Sequence, residues 1–113
     1  MRKSKLNRFY THIHIPTKDV KFGVTGQSLS ERIVYECNNF GRNVNDYKII
    51  HDIETSDCWK IERDCIRMLS EKYSMYKIPL NNGKKLYQER FRYHRPIMRK
   101  IDFIVKSYEK EQK

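Results

Sequence analysis

The chain is 113 residues long, enough for one domain with a modest core and too short for two. Lys and Arg total 24 against 14 Asp and Glu, a net charge of +10 that points to a polyanionic partner, most simply nucleic acid. No apolar run approaches the roughly 18 residues of a membrane span and no signal peptide is visible, so no membrane partner is expected.

Eight Tyr and five Phe are interleaved with the basic residues, a mixture suited to stacking on nucleic acid while neutralising it. Cys37, Cys58 and Cys65 are odd in number and lack Cys-x-x-Cys spacing, which suits a reducing compartment better than a disulfide frame.

Residues 1–7 form a basic arm expected to be mobile until an anion fixes it. Arg8 to Ile15 alternates, with Phe9, Thr11, Ile13 and Ile15 on one face and Tyr10, His12 and His14 on the other, and so predicts a strand. His12 and His14 have a spacing able to hold a metal, but with no cysteine or carboxylate beside them a structural zinc is not expected. Pro16 to Asp19 predicts a turn, and Val20 to Thr25 an antiparallel return strand. Gly23 is an odd choice within that strand, because glycine weakens strands unless something approaches the backbone closely.

Ser28 to Asn38 predicts a helix capped by Ser28 or Ser30, with Leu29, Ile33, Val34 and Cys37 as its buried stripe. Arg32 projects from the first turns, so strand, turn and helix make a phosphate-handling corner. An Asn- and Gly-rich loop leads to a third strand, Tyr47 to Ile53. Thr55 or Ser56 caps a second helix running to about Lys72, with Cys58, Ile61, Cys65, Met68 and Leu69 at helical spacing and Glu62 at the stripe's edge. Lys77 to Tyr87 reads as a loop or short hairpin around Pro79 and Asn82-Gly83.

His94-Arg95-Pro96 opens a last helix with Ile97, Ile101, Ile104, Val105 and Tyr108 inward. The expected fold is α+β, a small three-stranded mixed or antiparallel sheet flanked by helices. One domain covers residues 8–109, and residues 110–113 form a frayed tail. The expected core is Phe9, Ile13, Phe22, Val24, Leu29, Ile33, Ile49, Ile61, Cys65, Leu69, Ile101 and Ile104.

Four short motifs stand in order: Phe9-Tyr10; Lys21-Phe22-Gly23-Val24-Thr25 followed by Leu29-Ser30-Glu31-Arg32; Ile61-Glu62-Arg63-Asp64-Cys65-Ile66-Arg67; and Glu89-Arg90-Phe91. Their order and spacing resemble the GIY-YIG nuclease superfamily, in particular its short phage and bacterial branch with a Lys-hydrophobic-Gly-x-Thr second motif. Two departures from the wider superfamily are visible: Arg8 stands where its first motif has glycine, and Lys21, as is common in the short branch, where its second motif has tyrosine.

The resemblance implies an Mg²⁺-dependent endonuclease that cuts or nicks DNA, phage-encoded and acting in a bacterial cytoplasm. Tyr10, Lys21, Arg32 and Glu62 would be its catalytic residues. Glu62 would hold a single Mg²⁺ that keeps most of its water shell, and Arg32 would hold a non-bridging phosphate oxygen. Arg8, His12, Lys18 and Arg42 would contact the nucleic acid. The missing second tyrosine leaves an alternative, an inactive nucleic-acid-binding or inhibitory module. A homodimer or protein partner is compatible with either reading, since one such site cuts one strand.

Overall fold

The hairpin expected at the start of the chain forms the centre of the sheet. The computed structural model describes residues 7–71, 73, 77–79, 85–87 and 90–111. Residues 1–6 of the expected basic arm, Glu89 of the fourth motif and residues 112–113 lie outside them. Strand β1 (Arg8–His14) pairs antiparallel with β2 (Asp19–Thr25), placing Tyr10 opposite Gly23 and His12 opposite Lys21. The chain reverses at Ile15 to Lys18, where the Lys18 amide donates to the Ile15 carbonyl at 3.3 Å and Lys18 adopts φ 60°. Ile15 therefore leaves the strand and is exposed.

Helix α1 (Leu29–Phe40) follows, then a 3-10 turn (Val44–Asp46), β3 (Tyr47–Glu54) and α2 (Cys58–Ser70). Ser28 caps α1 through a capping box with Glu31, and Gly41 closes it in the left-handed region at φ 66°. A small hairpin, β4 (Lys77–Pro79) with β5 (Lys85–Tyr87), matches the one expected there. Next come β6 (Arg90–Arg92) and α3 (Arg95–Glu111), which runs into the stretch expected to fray. The class is α+β as expected, but the main sheet has four strands rather than three. It is antiparallel throughout, in the order β3-β1-β2-β6. The fourth strand is three residues long, too short to show a period-2 pattern of its own.

The two faces of the sheet differ chemically. Phe9 and Ile13 of β1, Val20 and Phe22 of β2 and Phe91 of β6 pack against Cys58, Ile61, Cys65 and Leu69 of α2 and Ile97, Ile101, Ile104 and Val105 of α3. Phe22 and Phe91 stack at 5.9 Å, and Phe9 and Phe22 meet at 6.2 Å. Each such pair adds about 0.5–1.5 kcal/mol beyond its buried area. Cys65 is a core residue whose thiol burial pushes up to about 12, and all three cysteines are free.

The opposite face carries Tyr10, His12, His14, Asp19, Lys21 and Arg90, all buried. Helix α1 covers it, through contacts from Arg32 to Tyr10 and from Glu36 to Arg90.

Two expected core positions differ. Ile49 is exposed, because a bulge between Thr11 and His12 shifts the register of β3, so that His51 faces Thr11 but Ile49 faces His12. Val24 is only partly buried at the end of its strand. In α1 the buried residues are Leu29, Ile33 and Glu36, while Val34 is exposed and Cys37 half-buried. Among the described residues no helix is long and apolar enough to cross a membrane.

Candidate functional site

The polar layer between the sheet and α1 divides into two parts. The first is an ion network that consumes its own charge. Arg90, buried on β6, pairs with Asp19 of β2 and Glu36 of α1. Arg42 donates to Asp19 at 2.8 Å and to the Tyr47 hydroxyl at 3.2 Å, and that hydroxyl donates to Glu36 at 3.3 Å. Burial pushes the Tyr47 phenol well above its usual range, so it stays a donor. Two carboxylates and two guanidiniums balance, which is the condition for burying charge at tolerable cost.

The second part is a cluster of unlike composition at the Gly23 end of the same layer. Arg32 Nη2 donates to the Tyr10 hydroxyl at 3.4 Å. The Arg32 guanidinium lies 5.8 Å from the Tyr10 ring centroid and 4.8 Å from that of Tyr35, so it is held between two aromatic faces. Lys21 Nζ stands 5.6 Å from the Tyr10 ring centroid and donates to the Phe22 carbonyl at 2.8 Å. Among the described residues no carboxylate pairs with Arg32, and its buried Nε has no hydrogen-bond partner.

Gly23 makes this approach possible. A Cβ there would stand 3.0 Å from Lys21 Nζ and 3.1 Å from the Tyr10 hydroxyl. The reason glycine interrupts the strand is thus the close approach of these two side chains to its backbone. Tyr10 and Lys21 are 1 % and 4 % exposed, whereas Arg32 is partly exposed.

Three of the four expected catalytic residues, Tyr10, Lys21 and Arg32, therefore meet. Glu62 stands on α2, whose Ile61 and Cys65 pack on the apolar face of the sheet. It lines an open cavity with Trp59, Lys60, Arg63, Ile66 and Arg67, none of them from the Tyr10 cluster. Among the described residues no three metal-ligating side chains are grouped. A single carboxylate still suits Mg²⁺, which keeps most of its waters and takes one or two protein oxygens.

The expected nucleic-acid contacts divide as well. Lys18 is exposed at the turn, and Arg8 is half-buried with its guanidinium paired to Asp52. Arg42 is drawn into the ion network. His12 does not reach the surface: it stacks on Tyr10 at 5.4 Å, meets the Tyr47 ring edge-on at 5.1 Å, and is 1 % exposed. Burial, with Arg90 and Lys21 alongside, lowers its pKa to about 3, so it is neutral. Neither ring nitrogen has a hydrogen-bond partner among the described residues.

Asp19, Tyr47 and Tyr35 carry no functional signal in the sequence, Arg90 stands there only inside the fourth motif, and Glu36, four residues after Arg32, reads only as its surface helix mate. Only Gly23 signalled the layer in advance. Comparison with protein-family models, curated proteins and solved structures finds no match.

Proposed function

We propose that the chain is an Mg²⁺-dependent endonuclease of the GIY-YIG type, cutting or nicking DNA. One observation carries this reading. Among the described residues Arg32 has no carboxylate partner, and it is directed at a tyrosine hydroxyl that a lysine also approaches. The neighbouring arginines Arg42 and Arg90 are both neutralised by Asp19 or Glu36. An arginine left unpaired beside a balanced network is set for an anion from outside, and its planar fork suits two phosphate oxygens.

In this reading the phosphate meets Arg32 first, and the charge that develops on its oxygens is stabilised by donors already in place. Lys21 stands beside Tyr10 as a second point charge for a phosphate oxygen. Glu62, which would hold Mg²⁺ for charge neutralisation and water activation, stands on α2 away from the Tyr10 cluster and beside Lys60, Arg63 and Arg67, so its metal role rests on the resemblance alone. The host assignment, a phage protein in a bacterial cytoplasm, rests on the resemblance alone.

A second reading, a binding module without catalysis, is favoured by the near-complete burial of Tyr10 and Lys21 and by the separate neighbours of Glu62. Plasmid nicking separates the two. The nuclease reading expects relaxation of supercoiled DNA with Mg²⁺, its loss with chelator, and its loss in Glu62→Ala and Arg32→Ala. Retained DNA binding with no nicking in any divalent ion would favour the binding module. Nicking that persists in Glu62→Ala would remove the metal assignment.

A further inference from the structure

Away from the Tyr10 cluster, the outer face of α2 carries an open cavity of about 440 Å³ lined by Trp59, Lys60, Glu62, Arg63, Ile66 and Arg67. Trp59 is the chain's single tryptophan, and it is 53 % exposed. Its ring stacks on no other ring among the described residues. Trp59 and Ile66 lie two helical turns apart on one stripe and give the cavity an apolar floor, while Lys60, Arg63 and Arg67 form its rim.

These cations are only loosely held. Lys60 lies 3.7 Å from Asp57, Arg63 3.9 Å and Arg67 3.6 Å from Asp64, all with exposed basic side chains. Pairs of this kind contribute little and exchange readily for a phosphate.

An indole left in water beside three exposed cations is the pattern of a stacking platform with an electrostatic rim. We infer that the outer face of α2 docks single-stranded nucleic acid, with an unpaired base stacked on Trp59 and flanking phosphates held by Arg63 and Arg67. The +10 net charge favours a polyanion over an apolar protein anchor. An intact duplex has its base faces covered, so an unpaired base is the partner an exposed indole can use. Glu62 lies in the same cavity, so a strand held there runs past the carboxylate assigned to Mg²⁺. The inference rests on the nucleic-acid reading of the chain and not on catalysis.

The single tryptophan makes the test direct. Titrating the wild-type protein with an oligothymidylate about a dozen nucleotides long, in chelator and low salt, should quench Trp59 fluorescence. The quenching curve should coincide with the anisotropy of a labelled copy of the oligonucleotide. Trp59→Leu should weaken oligonucleotide binding roughly 10-fold or more, the range of one lost base stack. Arg63→Ala and Arg67→Ala should each lower the salt slope by about 0.7 unit.

Binding with unmoved fluorescence and an unaltered Trp59→Leu affinity would overturn the inference, as would stronger quenching by blunt duplex than by single strand. Fluorescence that changes with protein concentration alone would assign the face to a second copy of the chain instead. Quenching by the oligonucleotide in a protein that nicks nothing would sink only the nuclease reading. Nicking with no Trp59 response would sink only the docking surface.

Discussion

Glu36 and Arg90, 54 positions apart in the chain, form a buried ion pair that ties α1 to the edge strand β6. The same guanidinium reaches Asp19 on β2, so three elements share one cation. Arg32 lies one turn before Glu36 on α1, and Lys21 lies two residues after Asp19 on β2. The ion network thereby sets the distance between the two cations that approach Tyr10. Arg90→Met would leave both carboxylates buried without this partner and should cost about 3–5 kcal/mol of unfolding free energy. Urea denaturation checks this, and a loss below about 1 kcal/mol would show that Arg90 is not the keystone of the layer.

Arg32 is predicted to matter for chemistry more than for affinity. It makes a single long hydrogen bond to Tyr10, and no carboxylate among the described residues is orphaned when it goes. Arg32→Ala should therefore abolish nicking while the salt slope of DNA binding falls by about one unit. Thermal unfolding should change little, as expected for a partly exposed side chain. A variant that still nicks at the wild-type rate would exclude Arg32 from the site.

At Gly23 the prediction turns on which neighbour can give way. The Lys21 ammonium is the end of a flexible chain and can move, but the Tyr10 ring is stacked on His12 and buried. Gly23→Ala should thus displace the Tyr10 hydroxyl and lower nicking at least 10-fold. The strand itself should lose no more than about 1 kcal/mol, since alanine is otherwise the better strand residue. Melting and nicking measured on one preparation distinguish the two effects. Unchanged nicking would mean that Tyr10 and Lys21 do not act in the reaction.

The sequence carried the local features well. The β1–β2 register, the Ser28 cap and the apolar stripes of α2 and α3 follow from period-2 and period-3.6 patterns over seven residues or more. It failed where a partner distant in the chain decides. Glu36 sits four residues after Arg32 and reads as its surface mate, yet Arg90 draws it inward. Ile49 reads as core by alternation, yet one bulge turns it to the other side. Tyr10, His12 and Lys21 read as an open strand face because nothing local says that α1 will cover a polar layer. Buried polar groups cost free energy unless they are satisfied, so such a layer cannot be expected until its partners are seen.

His12 gives the last prediction, a stability that depends on pH with a definite sign. In the folded protein burial, then Arg90, Lys21 and Arg32, disfavour its charged form against the smaller pull of Asp19, and its pKa drops to about 3. In the unfolded chain it titrates near 6.5. Between these values the unfolded chain binds a proton that the folded chain does not, so stability must fall as pH falls through that window. His14, also lowered by burial, contributes with the same sign. Acidification from pH 7 to 4.5 should cost the wild type on the order of 2 kcal/mol more than it costs His12→Phe, which keeps the ring stack but has no proton to bind. The carboxylates titrate in both proteins and cancel in the comparison. Urea curves at the two pH values provide the measurement. If the acid losses of the two proteins are equal, His12 is not held neutral beneath α1, and the covered polar layer is wrongly drawn at its centre.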